Sequence, residues 1–227
     1  MAASETLLQL AVENNVAWCR TICAAHSLSE VRTNASWAIL SSSPRYYPNI
    51  ITTARGAQEE SVQLIRRLRQ ERIASGWGIK DSYADLDLSE QGLFPLTEAC
   101  WYGGFATVTP VADWKRVKTE AELRAWVNVW GNSEGVQFPS GLLGDPRIAF
   151  WYKGAGDVIN AGFVTFDAGI SVGISNWFSL PDQTPSWDAI LAVAANSSHG
   201  RPLVLWSKDL VKSSLNRLGA LRVWISD

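Results

Sequence analysis

Histidine and cysteine are scarce: the chain has two of the first and three of the second in 227 residues, and that scarcity excludes several chemistries at once. A Ser–His or Cys–His nucleophile needs an imidazole beside a hydroxyl or thiol, and His26 and His199 are all the sequence offers. Cys19, Cys23 and His26 stand at i, i+4 and i+7 near one helical face, but no fourth ligand follows at a zinc spacing. Buried thiols are the reading there, and no metal is expected. Three cysteines cannot all pair with one another, which fits a reducing compartment. No stretch approaches the roughly 20 apolar residues of a membrane span. Met1-Ala2-Ala3-Ser4-Glu5 has no basic region leading into an apolar run. A cytoplasmic protein with no membrane partner is expected. A one-sided charge is missing too: the formal net charge is −2, so no positive field draws the chain to nucleic acid. Arg66, Arg67, Arg69 and Arg72 sit among helix formers and read as a solvated helix face.

What is present is the composition of a globular protein, 47% hydrophobic and 19% charged, long enough for one large core or two small ones. Thr119-Glu120-Ala121-Glu122 is a capping box, followed by Leu123, Trp126, Val127 and Trp130 on one helical face and a stop at Gly131. Residues 114–117 read as a short strand before it. Residues 147–152 and 161–166, joined by the turn-rich 153–157, read as a hairpin, and 172–178 as a third antiparallel strand. Thr184 as N-cap and Pro185 at the first helical position predict a helix burying Trp187, Ile190, Leu191 and Ala194. Pro202–Trp206 reads as a strand buried on both faces. Ser207 then opens a predicted helix carrying Leu210, Val211, Ser214, Leu215 and Leu218, ended by Gly219, before a last strand at Leu221–Ile225. An N-terminal helix is expected from about Glu5 to Ala25, interrupted at Asn14 and Asn15.

This order, with Leu215-Asn216-Arg217-Leu218-Gly219-Ala220 leading into the final strand, is similar to the GNAT superfamily of N-acyltransferases over about residues 112–227. The resemblance implies an α/β (α+β) fold, a mixed, largely antiparallel twisted sheet flanked by helices, in which two neighbouring strands splay around a wedge. The first half echoes the pattern: a strand near Ile50–Thr53, a helix through Val62, Leu64, Ile65 and Leu68, a strand at Gly76–Lys80, and a closing strand at Phe94–Trp101. The expected organisation is therefore an N-terminal GNAT-like half or partial copy, 1–110, and a GNAT-like acyltransferase domain, 111–227.

The resemblance also implies an activity, N-acyl transfer from acetyl-CoA or another acyl-CoA to a small amine, by a monomer or homodimer. GNAT enzymes hold the coenzyme pyrophosphate on backbone N–H groups at the start of the helix after the fourth strand. The corresponding residues are Phe178, Ser179, Gln183 and Thr184, in a stretch with neither Gly nor Arg, where Pro185 removes a donor and Asp182 adds negative charge. Ala54-Arg55-Gly56-Ala57-Gln58 is the other candidate loop and reads as an ordinary helix start. Acid–base candidates are Glu98, Tyr102 and Ser207, though Ser207 also reads as an N-cap. Candidate substrate contacts are Asp81, Ser82, Trp101, Asn176 and Trp177. Asn176 is a polar amide in an apolar strand, so it faces a cleft or finds buried partners. Two other classes stay open: a non-catalytic binder that uses its tryptophans to hold a small ligand, and a structural partner protein docking through exposed aromatics.

Overall fold

The computed structural model describes residues 2–71, 76–109, 113–131, 138–155, 158–181, 186–208 and 213–227. The chain runs α1 (Ala2–Ala25), β1 (Glu30–Arg32), β2 (Ser36–Ile39), β3 (Ile50–Thr52), α2 (Gln58–Gln70), β4 (Gly78–Asp81) and β5 (Leu93–Gly104). It continues with β6 (Trp114–Arg116), α3 (Glu120–Gly131), β7 (Ile148–Ala155), β8 (Val158–Asp167), β9 (Val172–Ser179), α4 (Trp187–Ser198), β10 (Leu203–Ser207) and β11 (Asn216–Ser226). The eleven strands of the described residues join one sheet, in the order β1-β2-β3-β4-β11-β5-β10-β9-β8-β7-β6.

The pairings repeat. In the first half β3 runs parallel to β4 (Ile50 opposite Ile79), and in the second β9 runs parallel to β10 (Val172 opposite Leu203). A helix links each parallel pair, as a crossover requires. The strands that close the halves are exchanged: β5 pairs with β10 of the second half, and β11 pairs with β4 of the first. β5 and β11 then pair antiparallel along ten positions from Asn216 opposite Gly103 to Ser226 opposite Leu93, stitching the halves into one sheet.

Helices α2 and α4 cover one face and α1 and α3 the other. The α2 side buries Leu64, Ile65 and Leu68 on Ile50, Ile79 and Trp224, and its Arg66, Arg67 and Arg69 face solvent. The α4 side buries Ile190, Leu191 and Ala194 on Phe163, Ile174 and Leu205. On the opposite face Trp18, Trp37, Trp126, Phe150 and Phe166 share the largest core. Removing about 150–250 Å² per buried aromatic ring from water contributes roughly 4–6 kcal/mol each at 25 cal/mol/Å², so this face holds much of the fold's stability. The capping box forms as its spacing predicts: Glu122 N donates to Thr119 Oγ1 (3.2 Å), and Thr119 N donates back to Glu122 Oε2 (2.9 Å).

Three expectations are corrected. The helix expected from Ser207 does not reach Gly219: residues 213–215 are not helical, residues 216–226 are strand β11, and Leu218-Gly219 lies at a bulge against β5; Leu210 and Val211 lie outside the described residues. Pairing with both β4 and β5 outweighs the helical spacing of those leucines. Helix α4 starts later than expected, with Ser186 as N-cap accepting from Ala189 N; Thr184 and Pro185 lie outside the described residues. Helix α1 runs unbroken through Asn14 and Asn15, because both amides turn inward and are buried. Strands β1 and β2 had no sequence expectation. Among the described residues no helix is long and apolar enough to cross a membrane, and no group of three His, Cys, Asp or Glu is placed to hold a metal.

Candidate functional site

β9 and β10 stay together for two residue pairs only, Val172 with Leu203 and Gly173 with Val204. Beyond them β9 follows β8 while β10 follows β5, with Leu205 opposite Tyr102 and Trp206 opposite Trp101. The strands part because β9 is bulged. Ser175 pairs with Val164 and Phe178 with Gly162, so Asn176 and Trp177 face Phe163 alone. Asn176 takes φ 51° to make that bend, a conformation Asn tolerates better than most residues.

Helix α1 crosses the parting strands on the α3 side. Asn14 Nδ2 donates to Ser171 Oγ (3.1 Å), Ser171 O (3.2 Å) and Phe166 O (3.4 Å), fixing the helix to the turn between β8 and β9. That approach requires glycine at 173, since a Cβ there would overlap Asn14 Oδ1. Between the strands lies a cavity of about 20 Å³ whose lining includes Asn14, Asn15, Trp18, Gly173, Ser175 and Trp206. It has room for about one water molecule or a group of that size. Ile174 and Leu205, whose side chains pack in the α4 cluster, are also among the lining residues.

Next to the bulge, Asn176 Nδ2 donates to Ser175 Oγ (3.1 Å) and lies 3.5 Å from the Tyr47 hydroxyl. Tyr47 comes from the loop between β2 and β3 and is buried. Burial pushes its phenol well above the usual value, so it keeps its proton at neutral pH and can act as a donor. On the other side of the cavity Lys80 is 5% exposed. Its Nζ donates to Asn15 Oδ1 (2.9 Å) and lies 4.6 Å from the Trp206 ring centre and 5.9 Å from that of Trp101. Burial lowers its pKa, opposed by the Cys19 thiol. Sequence reading missed Lys80 and Asn15 as a pair; a lysine ending the apolar strand Gly78-Ile79-Lys80 was the available signal.

The matching gap in the first half is closed. Ser82 N donates to Thr52 Oγ1 (2.8 Å), and the Tyr83 hydroxyl donates to Thr53 O (3.0 Å). At the entrance to α2, Gly56 N donates to Asp85 Oδ2 (3.0 Å), so a carboxylate of the chain itself takes the place an anion would fill. The ordinary-turn reading of Arg55–Gln58 describes what is there.

The order, splay and exchange of strands can now be set beside known structures. A GCN5-related N-acetyltransferase from Kribbella flavida superposes with TM-score 0.63 at 12% identity, over 95% of this chain and 95% of that one. A conserved protein of unknown function from Staphylococcus epidermidis gives 0.62 at 11% identity, over 88% of this chain and 94% of that one. A GCN5-related N-acetyltransferase from Sphaerobacter thermophilus gives 0.52 at 9% identity, over 84% and 76%. The chain has the GNAT fold. No family model matches it and no curated protein matches it by sequence, so the likeness is one of architecture.

On the GNAT fold the predicted site residues fall into separate places. Trp101 and Ser82 meet, the indole N–H donating to Ser82 O (2.8 Å), and Trp101 also borders the wedge cavity. Asp81 is fully buried and accepts from the backbone N–H groups of Leu86 (3.0 Å), Tyr83 (3.3 Å) and Asp85 (3.3 Å). Burial raises its pKa against those bonds, and its geometry is that of a turn former. Asn176 sits at the bulge, and Trp177 beside it is 40% exposed, edge-on to Trp187 at 5.2 Å. Phe178 packs edge-on to Trp126, and Ser179 ends β9. Gln183 and Thr184 lie outside the described residues. Tyr102 and Ser207 share the α4 face of β5 and β10, Tyr102 opposite the cavity-lining Leu205 and Ser207 opposite Cys100. Glu98 lies further along β5, its carboxylate paired with Arg222 (2.7 Å) and largely in solvent.

Proposed function

We propose that this chain is an N-acyltransferase that takes an acyl thioester of coenzyme A into the β9–β10 wedge and passes the acyl group to a small amine. The observation that carries the reading is the bulged β9 parting from its parallel neighbour after two residue pairs. Support also comes from the described relatives in fold that are named N-acetyltransferases, which is an argument from architecture. When bound, the coenzyme would supply the activated acyl group. The chain's own residues suit the thioester end of such a ligand: the cavity is small, and its lining combines apolar Ile174 and Leu205 with polar Asn14, Asn15 and Ser175. At the bulge Tyr47 holds a phenolic proton and Asn176 an amide N–H within reach of one another. α1 excludes water from the α3 side. Of the residues expected to act in acid–base chemistry, Ser207 stands on β10 beside the wedge, and Tyr102 on the neighbouring β5 opposite Leu205.

Titration of acetyl-CoA, followed by calorimetry and by thermal unfolding, tests this. Saturable binding is expected, with unfolding shifted upward by about 2.7 kcal/mol at a hundred times the dissociation constant. No heat and no shift at millimolar ligand would overturn the reading. The tryptophans that crowd the wedge, Trp18, Trp101 and Trp206, favour a second reading, a binder of a small apolar ligand without catalysis. Tryptophan fluorescence that responds to metabolites and not to coenzyme thioesters, and loses the response in Trp177→Ala, would select it.

A further inference from the structure

Asn15 sits on α1, is 9% exposed and lines the cavity in the wedge. Its oxygen accepts from Lys80 Nζ at 2.9 Å. An ammonium offers protons and no lone pair, so this bond fixes which end of the amide is which: the oxygen turns to Lys80 and the two N–H groups turn away from it. Asn15 lines the cavity between β9 and β10, and among the described residues its side chain is bonded to Lys80 through the oxygen alone, which leaves its N–H groups open to a group held in that cavity. Lys80 Nζ also lies 4.6 Å from the Trp206 ring centre and 5.9 Å from that of Trp101, and these ring contacts favour the charged amine where it meets Asn15. Asn14, the neighbouring amide, is committed elsewhere, with its N–H groups spent on Ser171 and Phe166. The two adjacent asparagines thus divide the work: one anchors α1 to the sheet, and the other lines a small cavity with its donors open.

We propose that Asn15 is the side-chain donor that recognises the carbonyl oxygen of the ligand's acyl group in the wedge, and that Lys80 is the positioning residue that aims it. This deepens the reading of the wedge as an acyl-thioester site and rests on it. A hydrogen bond made in such a site is worth about three- to tenfold in affinity, and the alternative, unpaired donors against an incoming apolar group, is disfavoured. The donor comes from the first half of the chain while the bulged strand comes from the second, so the site needs both halves of the sheet.

The test compares two probes, acetyl-CoA and S-ethyl-CoA, which has a methylene where the thioester has its carbonyl. Dissociation constants are measured by calorimetry for the full-length protein and for Asn15→Asp, Asn15→Leu and Lys80→Met. The wild-type protein is expected to prefer acetyl-CoA by about three- to tenfold. Asn15→Asp keeps an acceptor for Lys80 but has no N–H, so it should lose that preference while its S-ethyl-CoA affinity stays unchanged. Asn15→Leu should do the same, and Asn15→Asp covers the case in which the leucine variant does not fold. Lys80→Met should lower the preference, since the amide is then free to turn over. If wild-type protein binds neither probe, the acyl-thioester reading itself falls. If it binds both equally, or Asn15→Asp keeps the preference, the role of Asn15 is overturned and the wider reading stands. A full preference retained in Lys80→Met would overturn the positioning role alone.

Discussion

Replacing Gly173 by alanine should destabilise the protein although the same change in an ordinary strand stabilises it. Gly in a strand interior is disfavoured by roughly 0.5–1 kcal/mol relative to alanine, so without other contacts the variant would gain that much. Here the added methyl would overlap Asn14 Oδ1, and Asn14 is only 3% exposed. Either α1 lifts from β9 or the amide rotates and gives up its bonds to Ser171 and Phe166. Overpacking costs about 1–3 kcal/mol, and an orphaned buried amide costs about another 1–3. Together these give about 1–5 kcal/mol after the propensity gain of about 0.5–1 is set against them. For a chain of this size that lowers the melting temperature by roughly 2–20 °C. Scanning calorimetry on Gly173→Ala, Asn14→Ala and the double variant would measure it as a cycle. The double variant should be less destabilised than the two single losses added together, because the smaller residue at 14 makes room for the methyl. A Gly173→Ala variant as stable as wild type, or single losses that simply add, would refute the placement of α1 over the wedge.

Lys80 gives a pH signature. Its folded-state pKa is lowered by burial from an ordinary 10.5, so between the two values the unfolded chain binds the extra proton and stability rises with pH until 10.5 is passed. Denaturant unfolding across neutral to alkaline pH should show that rise in wild type, and its contribution should vanish from Lys80→Met; identical slopes would contradict the buried amine. The thiols give another. Burial pushes Cys19 up to about 11 and Cys23 up to about 12. A thiol reagent at about pH 8 should therefore label native protein at Cys100 alone, and all three cysteines after unfolding. Rapid native labelling of Cys19 would count against the packing of α1.

Much of the fold could be read from local pattern, and what could not depended on distant residues. The capping box at Thr119, the apolar face of α2 and the meander of β7, β8 and β9 carry their periods in short windows, where neighbouring side chains decide the outcome. β1 and β2 are three and four residues long, too short for a period to show. The stretch from Leu210 to Gly219 has helical spacing and a helical stop, yet residues 216–226 are held as strand by β4 and β5, more than a hundred positions earlier in the chain. The site follows the same division. Asn176 was legible as a polar residue in an apolar strand, and the bulge gives the reason for it. Tyr47 stands between Tyr46 and Pro48 with no local mark of a site, and only the loop's return toward β9 brings its hydroxyl near Asn176. The Asn15–Lys80 bond spans 65 positions and has no local trace beyond two polar residues among apolar ones. The closed gap in the first half was equally hidden, because Ser82 reaches Thr52, and Tyr83 reaches Thr53, across 30 positions.

The most direct measurement is an NMR titration of the isotope-labelled protein with acetyl-CoA, following amide signals in both parallel strand pairs. Signals of Gly173, Ser175 and Asn176 and of the Asn15 side chain should move together and saturate, while those of Ile50, Ile51 and Thr52, beside the gap that Thr52 and Tyr83 close, stay where they are. Saturation with the β9 signals unmoved, or with the larger changes at β3 and β4, would contradict a wedge that receives the acyl group.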